Sequence, residues 1–248
     1  MNRYLAEPDL AELSTEVCEV ISSPNGGFLV AGRDNLFRPE GGGQPQDLGA
    51  VEIGGRSYRI SELVKGKGGL VYARIVDLAE PPPLHMPMIQ QVDIARRFKL
   101  RKLHTLQHLH SAAAYRVIPD AEPCGNDLDE GAAGGWIRLR FAKCPELRAF
   151  RDLTAAVSES VNKAAPVVMT RANSIEEART KYRGIFRLDP AVTLTGRVRV
   201  VIIQQIDANC CSALHWSSSD IGEYRSQIVP VQDQEGEVIE ISFSLEAG

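Results

Sequence analysis

The chain has 248 residues, 44% hydrophobic and 24% charged, with a formal net charge of −4: globular composition, with apolar material for one large core or two smaller ones. No apolar run approaches the roughly 20 residues of a spanning helix, and "MNRYLAEPDL" lacks the charged head and apolar middle of a secretory signal, so a cytoplasmic protein without a membrane or DNA partner is expected. The acidic balance argues against binding nucleic acid by bulk charge, and five scattered cysteines (Cys18, Cys124, Cys144, Cys210, Cys211) read as reduced thiols rather than a disulfide framework.

The first eighty residues read mostly as short strands. "GFLVAG", "GAVEIGG", "RSYRISELV" and "GGLVYARIVDL" are apolar or alternating runs punctuated by Gly and Asn, which predicts an antiparallel barrel or sandwich. Between them, "FRPEGGGQPQD" places Gly41, Gly42 and Gly43 in a row between two prolines. Pro81 to Pro87 then interrupt the pattern, and proline's missing amide hydrogen makes this stretch non-helical and a connection between domains. From Val92 the period becomes helical, with Ile94, Phe98, Leu103, Leu106, Leu109 and Ala113 recurring as far as Val117.

The remainder alternates. "GWIRLRFA" and "PVVMTRA" read as strands, "CPELRAFRDLTAAVSESVNKAA" as a helix, and "SIEEARTKY" as a short helix opened by Ser174 with Glu177 three residues on. "GRVRVVIIQQID" is a β-branched run expected of a strand buried on both faces, and "GEVIEISFSLE" alternates again. The expected class is α+β: an amino-terminal antiparallel β-barrel over residues 1–91, then an α+β domain over residues 92–248.

The chemistry sits on the long helix and just after the buried run. His104 and His108, four apart on a helix, leave one face about one turn from each other and can share a cation. Cys211 and His215 repeat the spacing after the strand. Ligands of imidazole and thiolate type suit zinc better than calcium or magnesium. Cys210 is a rival for Cys211 one residue further from His215, while His110, on another side of the helix, and His85, among the prolines, are expected to be structural, and Cys18, Cys124 and Cys144 ordinary thiols. Two basic groups, Arg96 to Lys102 and Arg171, Arg179, Lys181, Arg183 and Arg187, read individually as solvated helix faces.

Three stretches in order, "FRPEGGGQPQDLG", "VDIARRFKLRKLHTLQHLHSAA" and "VRVVIIQQIDANCCSALHWSSSDIG", resemble the editing region of alanyl-tRNA synthetase and its free-standing relatives, the alanyl-tRNA trans-editing (AlaX) proteins. The resemblance runs over roughly residues 28–222 and includes the related domain of threonyl-tRNA synthetase. It implies a zinc-dependent, ATP-independent aminoacyl-tRNA deacylase that removes serine or glycine from mischarged alanine tRNA. A pocket that accepts alanine cannot strongly reject such close analogues, so a hydrolytic sieve must follow. Carried over, His104, His108, Cys211 and His215 are the zinc ligands, with His215 the one expected to yield a coordination position. Asp207 supports them, and Gly41, Gly42, Gly43, Arg97, Arg101 and Lys102 contact the tRNA acceptor end and backbone.

The chain also departs from the family pattern. It reads "CSALH" where the family has C-G-G-T-H, it lacks the family's glutamine after the long helix, and "RFAKC" replaces the usual aromatic-Asp-aromatic ending. These differences bear on amino-acid specificity, and they define two rival expectations: a zinc-stabilised RNA-binding module without hydrolysis, and a deacylase for serine on threonine tRNA.

Overall fold

The computed structural model describes residues 1–129, 131–143, 145–187, 194–231 and 237–246. Cys144, expected to be an ordinary thiol, lies outside them. The chain is of the α+β class, mostly strand with a few helices, and it divides into two compact units, Met1–Phe98 and Lys99–Gly248.

The first unit opens with a one-turn helix α1 (Arg3–Ala6) and then holds β1 (Glu12–Ser22), β2 (Phe28–Gly32), β3 (Gly49–Ile53), β4 (Arg56–Arg59), β5 (Glu62–Lys65), β6 (Val71–Ile75) and β7 (Pro87–Val92). They form one sheet in the order β4-β3-β7-β1-β2-β6-β5, every pairing antiparallel. β1 curls it: its first half pairs with β7, its second half with β2, and the register shifts between Val17 and Glu19. Such a bulge bends and twists a strand. The concave side is filled by Val17, Val30, Phe37, Val51, Ile75 and Met88. The expected barrel is therefore a half-barrel, because among the described residues β4 and β5 end the order without pairing to each other.

The proline stretch is not the connection it was expected to be. Residues 81–86 lie inside the first unit and lead into β7, which sits between β3 and β1. Pro87 fits as the first residue of its strand, where a missing amide hydrogen is tolerated. His85 there is exposed, its Nδ1 3.2 Å from Glu16 Oε1.

Helix α2 (Ile94–Val117) is capped by Asp93, whose Oδ1 accepts the Arg96 amide at 3.0 Å. From Leu103 to His110 every residue is buried, so the polar side chains on this stretch must find partners inside. The second unit continues with β8 (Glu122–Leu128), β9 (Gly134–Phe141), α3 (Leu147–Asn162), β10 (Val167–Ala172), α4 (Ile175–Lys181), β11 (Phe186–Arg187), β12 (Val198–Ile203), β13 (Asp207–Cys210), β14 (Tyr224–Val231) and β15 (Glu237–Leu245). Two sheets result, β14-β15-β9-β8 and β10-β12-β13-β11. One core joins both to the helices through Leu103, Leu106, Leu139, Leu153, Val201 and Ile241. Ser174 accepts the Glu177 amide at 3.2 Å, the cap read from the sequence. No described helix is long and apolar enough to cross a membrane.

Candidate metal centre

The stretch "GRVRVVIIQQID", expected as one long strand, instead holds the first strand of a hairpin, its turn and the start of the second. β12 ends at Ile203, the chain turns through Gln204 to Ile206 with Gln205 at φ 62°, and β13 returns antiparallel, Ile203 opposite Asp207 and Val200 opposite Cys210. The turn delivers Asp207 at the start of β13 and releases Cys211 just beyond its end. Cys211 to His215 form a loop, neither helix nor strand.

The loop is held from outside and inside. Arg199 of β12 donates from Nη1 to the carbonyls of Cys211 at 2.6 Å and Ala213 at 2.8 Å, while the Ala213 amide points at Cys211 Sγ at 3.4 Å. Ala213 and Leu214 turn inward and are buried, and Ser212 is exposed. Further on, Ser219 fixes the segment to the start of β10: its hydroxyl accepts the Ala165 amide at 2.7 Å and donates to the Ser160 carbonyl at 2.8 Å.

His104, His108, Cys211 and His215 meet in one buried group whose donor atoms lie within 4.8 Å of one another, an arrangement that could hold a metal ion. His104 Nε2 is 3.3 Å and His215 Nε2 3.5 Å from Cys211 Sγ. Four donors around a tetrahedral ion, at about 2.3 Å for sulfur and about 2.0 Å for nitrogen, leave sulfur and nitrogen about 3.5 Å apart, so the spacing fits. Partners behind the rings select the nitrogen offered. His108 Nδ1 donates to Asp207 Oδ2 at 2.8 Å, and His215 Nδ1 lies 3.3 Å from Thr105 Oγ1, whose own hydrogen goes to the Arg101 carbonyl at 3.0 Å. Both rings therefore keep Nε2 for the group. Arg101 Nε donates to the His215 carbonyl at 2.8 Å, so His215 is tied at ring and backbone, an arrangement that suits a fixed ligand better than the yielding one expected.

The electrostatics follow from this packing. Burial pushes the Cys211 thiol up, but attraction and a hydrogen bond from His104, with hydrogen bonds to His108 and His215, outweigh it and hold the group well below the usual thiol range. Burial pushes His108 down, yet hydrogen bonds to Asp207 and Cys211 raise it from 6.5 to about 10. For His215, burial and then repulsion from His108 lower it to about 3. A thiolate among imidazoles is a donor set for a divalent, borderline-soft ion, whose binding would displace the Nε2 proton of His108. Cys210, the rival thiol, is raised by burial and then by Cys211, and remains in β13.

His110 is buried apart from the group, its Nδ1 3.0 Å from the Leu106 carbonyl and its ring stacked on Phe243 at 5.0 Å. Of the expected tRNA contacts, Arg97 and Arg101 are buried. Arg97 is 0% exposed and forms an ion pair with Asp47 at 2.6 Å, and Arg101 is 3% exposed. A phosphate cannot reach either without displacing these bonds. Lys102 is half-buried, its Nζ 5.0 Å above the Trp216 ring.

Gly41 to Gly43 form a defined turn in the first unit. All three have positive φ (150°, 61° and 67°), Gly41 and Gln44 exchange backbone hydrogen bonds, and buried Arg38 donates to the carbonyls of Gly41, Gln44 and Pro45. Sequence reasoning missed Thr105 and Arg199. The signal for Arg199 was a charge flanked by valines in an apolar run; Thr105, one residue after His104, carried none.

No family model matches the chain. It is 29% identical over 223 residues to the alanine–tRNA ligase of Methanothermobacter thermautotrophicus, covering 90% of this chain and 24% of that protein. The ligase of Aeropyrum pernix is 26% identical, covering 81% of this chain and 22% of its own length. Alanyl-tRNA editing protein Aarsd1 of Danio rerio is 28% identical over 221 residues, covering 87% of this chain and 50% of its own length. The chain thus spans about a quarter of the ligases it matches and half of the editing protein. Homology over most of its length makes it a relative of alanine–tRNA ligases and of an alanyl-tRNA editing protein, consistent with an AlaX-like editing protein.

Proposed function

We propose that the chain is a zinc-dependent aminoacyl-tRNA deacylase that acts in trans in the cytoplasm, hydrolysing the ester of mischarged alanine tRNA carrying serine or glycine. The observation that carries this reading is the buried group of three imidazoles and one thiol, with two rings oriented from behind. In this reading residues 92–248 are the editing domain and residues 1–91 assist tRNA recognition.

If bound at His104, His108, Cys211 and His215, zinc would supply Lewis acidity toward a substrate oxygen or a water admitted as a ligand beyond these four. The chain's own residues do the rest. Asp207 and Thr105 fix which imidazole nitrogen faces inward, the Ala213 amide stabilises the thiolate, and Arg199 keeps the loop carbonyls from turning toward the site. Ester hydrolysis needs no ATP. For tRNA contacts we retain Lys102 and the Gly41 to Gly43 turn, where Gly42 is exposed, and drop Arg97 and Arg101.

A deacylation time course on alanine tRNA charged with serine tests the reading, with His104→Ala as control. Hydrolysis that disappears in the control supports it. No hydrolysis of serine- or glycine-charged alanine tRNA by the zinc-loaded chain overturns it; turnover of serine-charged threonine tRNA would then identify the other deacylase, and tRNA binding without turnover the RNA-binding module.

A further inference from the structure

Arg187 belongs by sequence to a basic group that reads as a solvated face, and the structure takes it out of that group. It sits on β11, the edge strand that pairs parallel to β13, with Arg187 opposite Asn209 and Phe186 opposite Ala208. The Ala208 amide, donating to the Ile185 carbonyl at 2.9 Å, secures that edge. The guanidinium carbon lies 4.6 Å above the ring of Tyr115, which is seven residues beyond His108 and so on the same face of α2. Its Nε faces Asp207 Oδ1 at 3.6 Å.

Asp207 is 1% exposed, and its two oxygens divide between two neighbours. Oδ2 accepts from His108 Nδ1; Oδ1 and Arg187 Nε have no hydrogen-bond partner among the described residues, and each faces the other. A buried carboxylate held by one hydrogen bond can rotate about its terminal torsion, which is broad. A cation at its second oxygen removes that freedom. The geometry points to Arg187 as a positioning residue: through Asp207 it fixes the His108 ring, and so sets the affinity of the group for its metal. The inference rests on reading that group as a metal site.

The test is zinc affinity, measured by competition with a chromophoric chelator, in the unaltered chain and in Arg187→Gln, Arg187→Lys and Arg179→Gln. Arg179, an exposed cation of α4, controls for loss of one charge. Residues supporting a metal ligand from behind typically change affinity by about 10- to 100-fold, and Arg187→Gln is expected at the lower end, about 10-fold, with Arg187→Lys recovering part and Arg179→Gln unchanged. The same substitutions in an Asp207→Asn background distinguish positioning from general destabilisation. If Arg187 acts through Asp207, its replacement there costs nothing further. Equal losses in both backgrounds, or unchanged affinity in Arg187→Gln, overturn the inference while leaving the metal site intact. Should Arg187→Gln fail to fold, Arg187→Lys carries the same two-background comparison. No zinc binding by the unaltered chain overturns the inference and the metal reading together.

Discussion

Two loops of this molecule, one in each unit, are built by the same device. In the first unit the buried guanidinium of Arg38 gathers the carbonyls of Gly41, Gln44 and Pro45; in the second, Arg199 gathers those of Cys211 and Ala213. Each clamp replaces the repeating hydrogen bonds that a helix or strand would supply. The difference lies in what the fixed backbone presents. The first loop presents glycines in left-handed geometry, and the second a thiol among three imidazoles. A rigid loop is therefore only a platform, and the chemistry depends on which side chains neighbouring elements bring to it.

The comparison can be broken most severely at the second loop's partners. His104→Ala is expected to abolish stoichiometric zinc binding and with it deacylation, read by metal analysis of the purified protein and by the time course above. Replacements in the first unit, such as Arg38→Met, are expected to leave zinc content unchanged.

Acid should separate the regions next. His110 in the second unit is lowered by burial from 6.5 to about 4. Unfolded chains therefore take up a proton at this residue below pH 6.5 that folded chains refuse until about pH 4, so the contribution of His110 to stability is full above 6.5 and falls through that window. A depression of this size corresponds to about 3 kcal/mol. Both tryptophans, Trp136 and Trp216, lie in the second unit, so their fluorescence in urea at pH 7 and pH 4.5 reads the effect there. His110→Leu should flatten this part of the pH dependence.

Removing the clamps compares the loops directly. Arg199→Met is expected to weaken zinc binding by about 10-fold, at the lower end of what residues behind a metal ligand contribute. Arg38→Met takes the guanidinium from the Gly41, Gln44 and Pro45 carbonyls, of which the first two keep each other's amides, and should cost the first unit about 1–3 kcal/mol, measured by urea unfolding, with zinc affinity unmoved. The smallest expected effect is Gly42→Ala, about 1 kcal/mol, because a β-carbon at φ 61° is strained. If Arg199→Met leaves zinc affinity unchanged, the second clamp does not position the thiol.

Legibility in the sequence varied for physical reasons. Helix α2 announced itself because its apolar residues keep a helical period over 24 residues. β1 went unread although it is the longest strand: its bulge at Cys18 moves the inward position from Leu13 and Val17 to Val20, so alternation breaks midway. Edge strands β8 and β14 were missed because a one-sided strand need not carry a strong apolar pattern, and Pro230 in β14 is tolerated at an edge. The proline stretch looked like a junction because proline marks irregular backbone, not where a domain ends. At the site, both donor pairs could be named from spacing, whereas Thr105 and Arg199 act through contacts 110 and 12–14 residues away in sequence.

By itself the sequence determined the donor types and the turn between His104 and His108, because helical spacing is local and imidazole and thiolate carry their chemistry with them. Tertiary structure decided everything that depends on a partner brought from elsewhere. It gathered the two donor pairs, committed Nδ1 of His108 to Asp207, and turned Arg97 and Arg101 from apparent surface cations into buried ties. A charge's meaning is set by what surrounds it, since burial makes an unpaired ion costly and a paired one structural, and no local pattern records those surroundings.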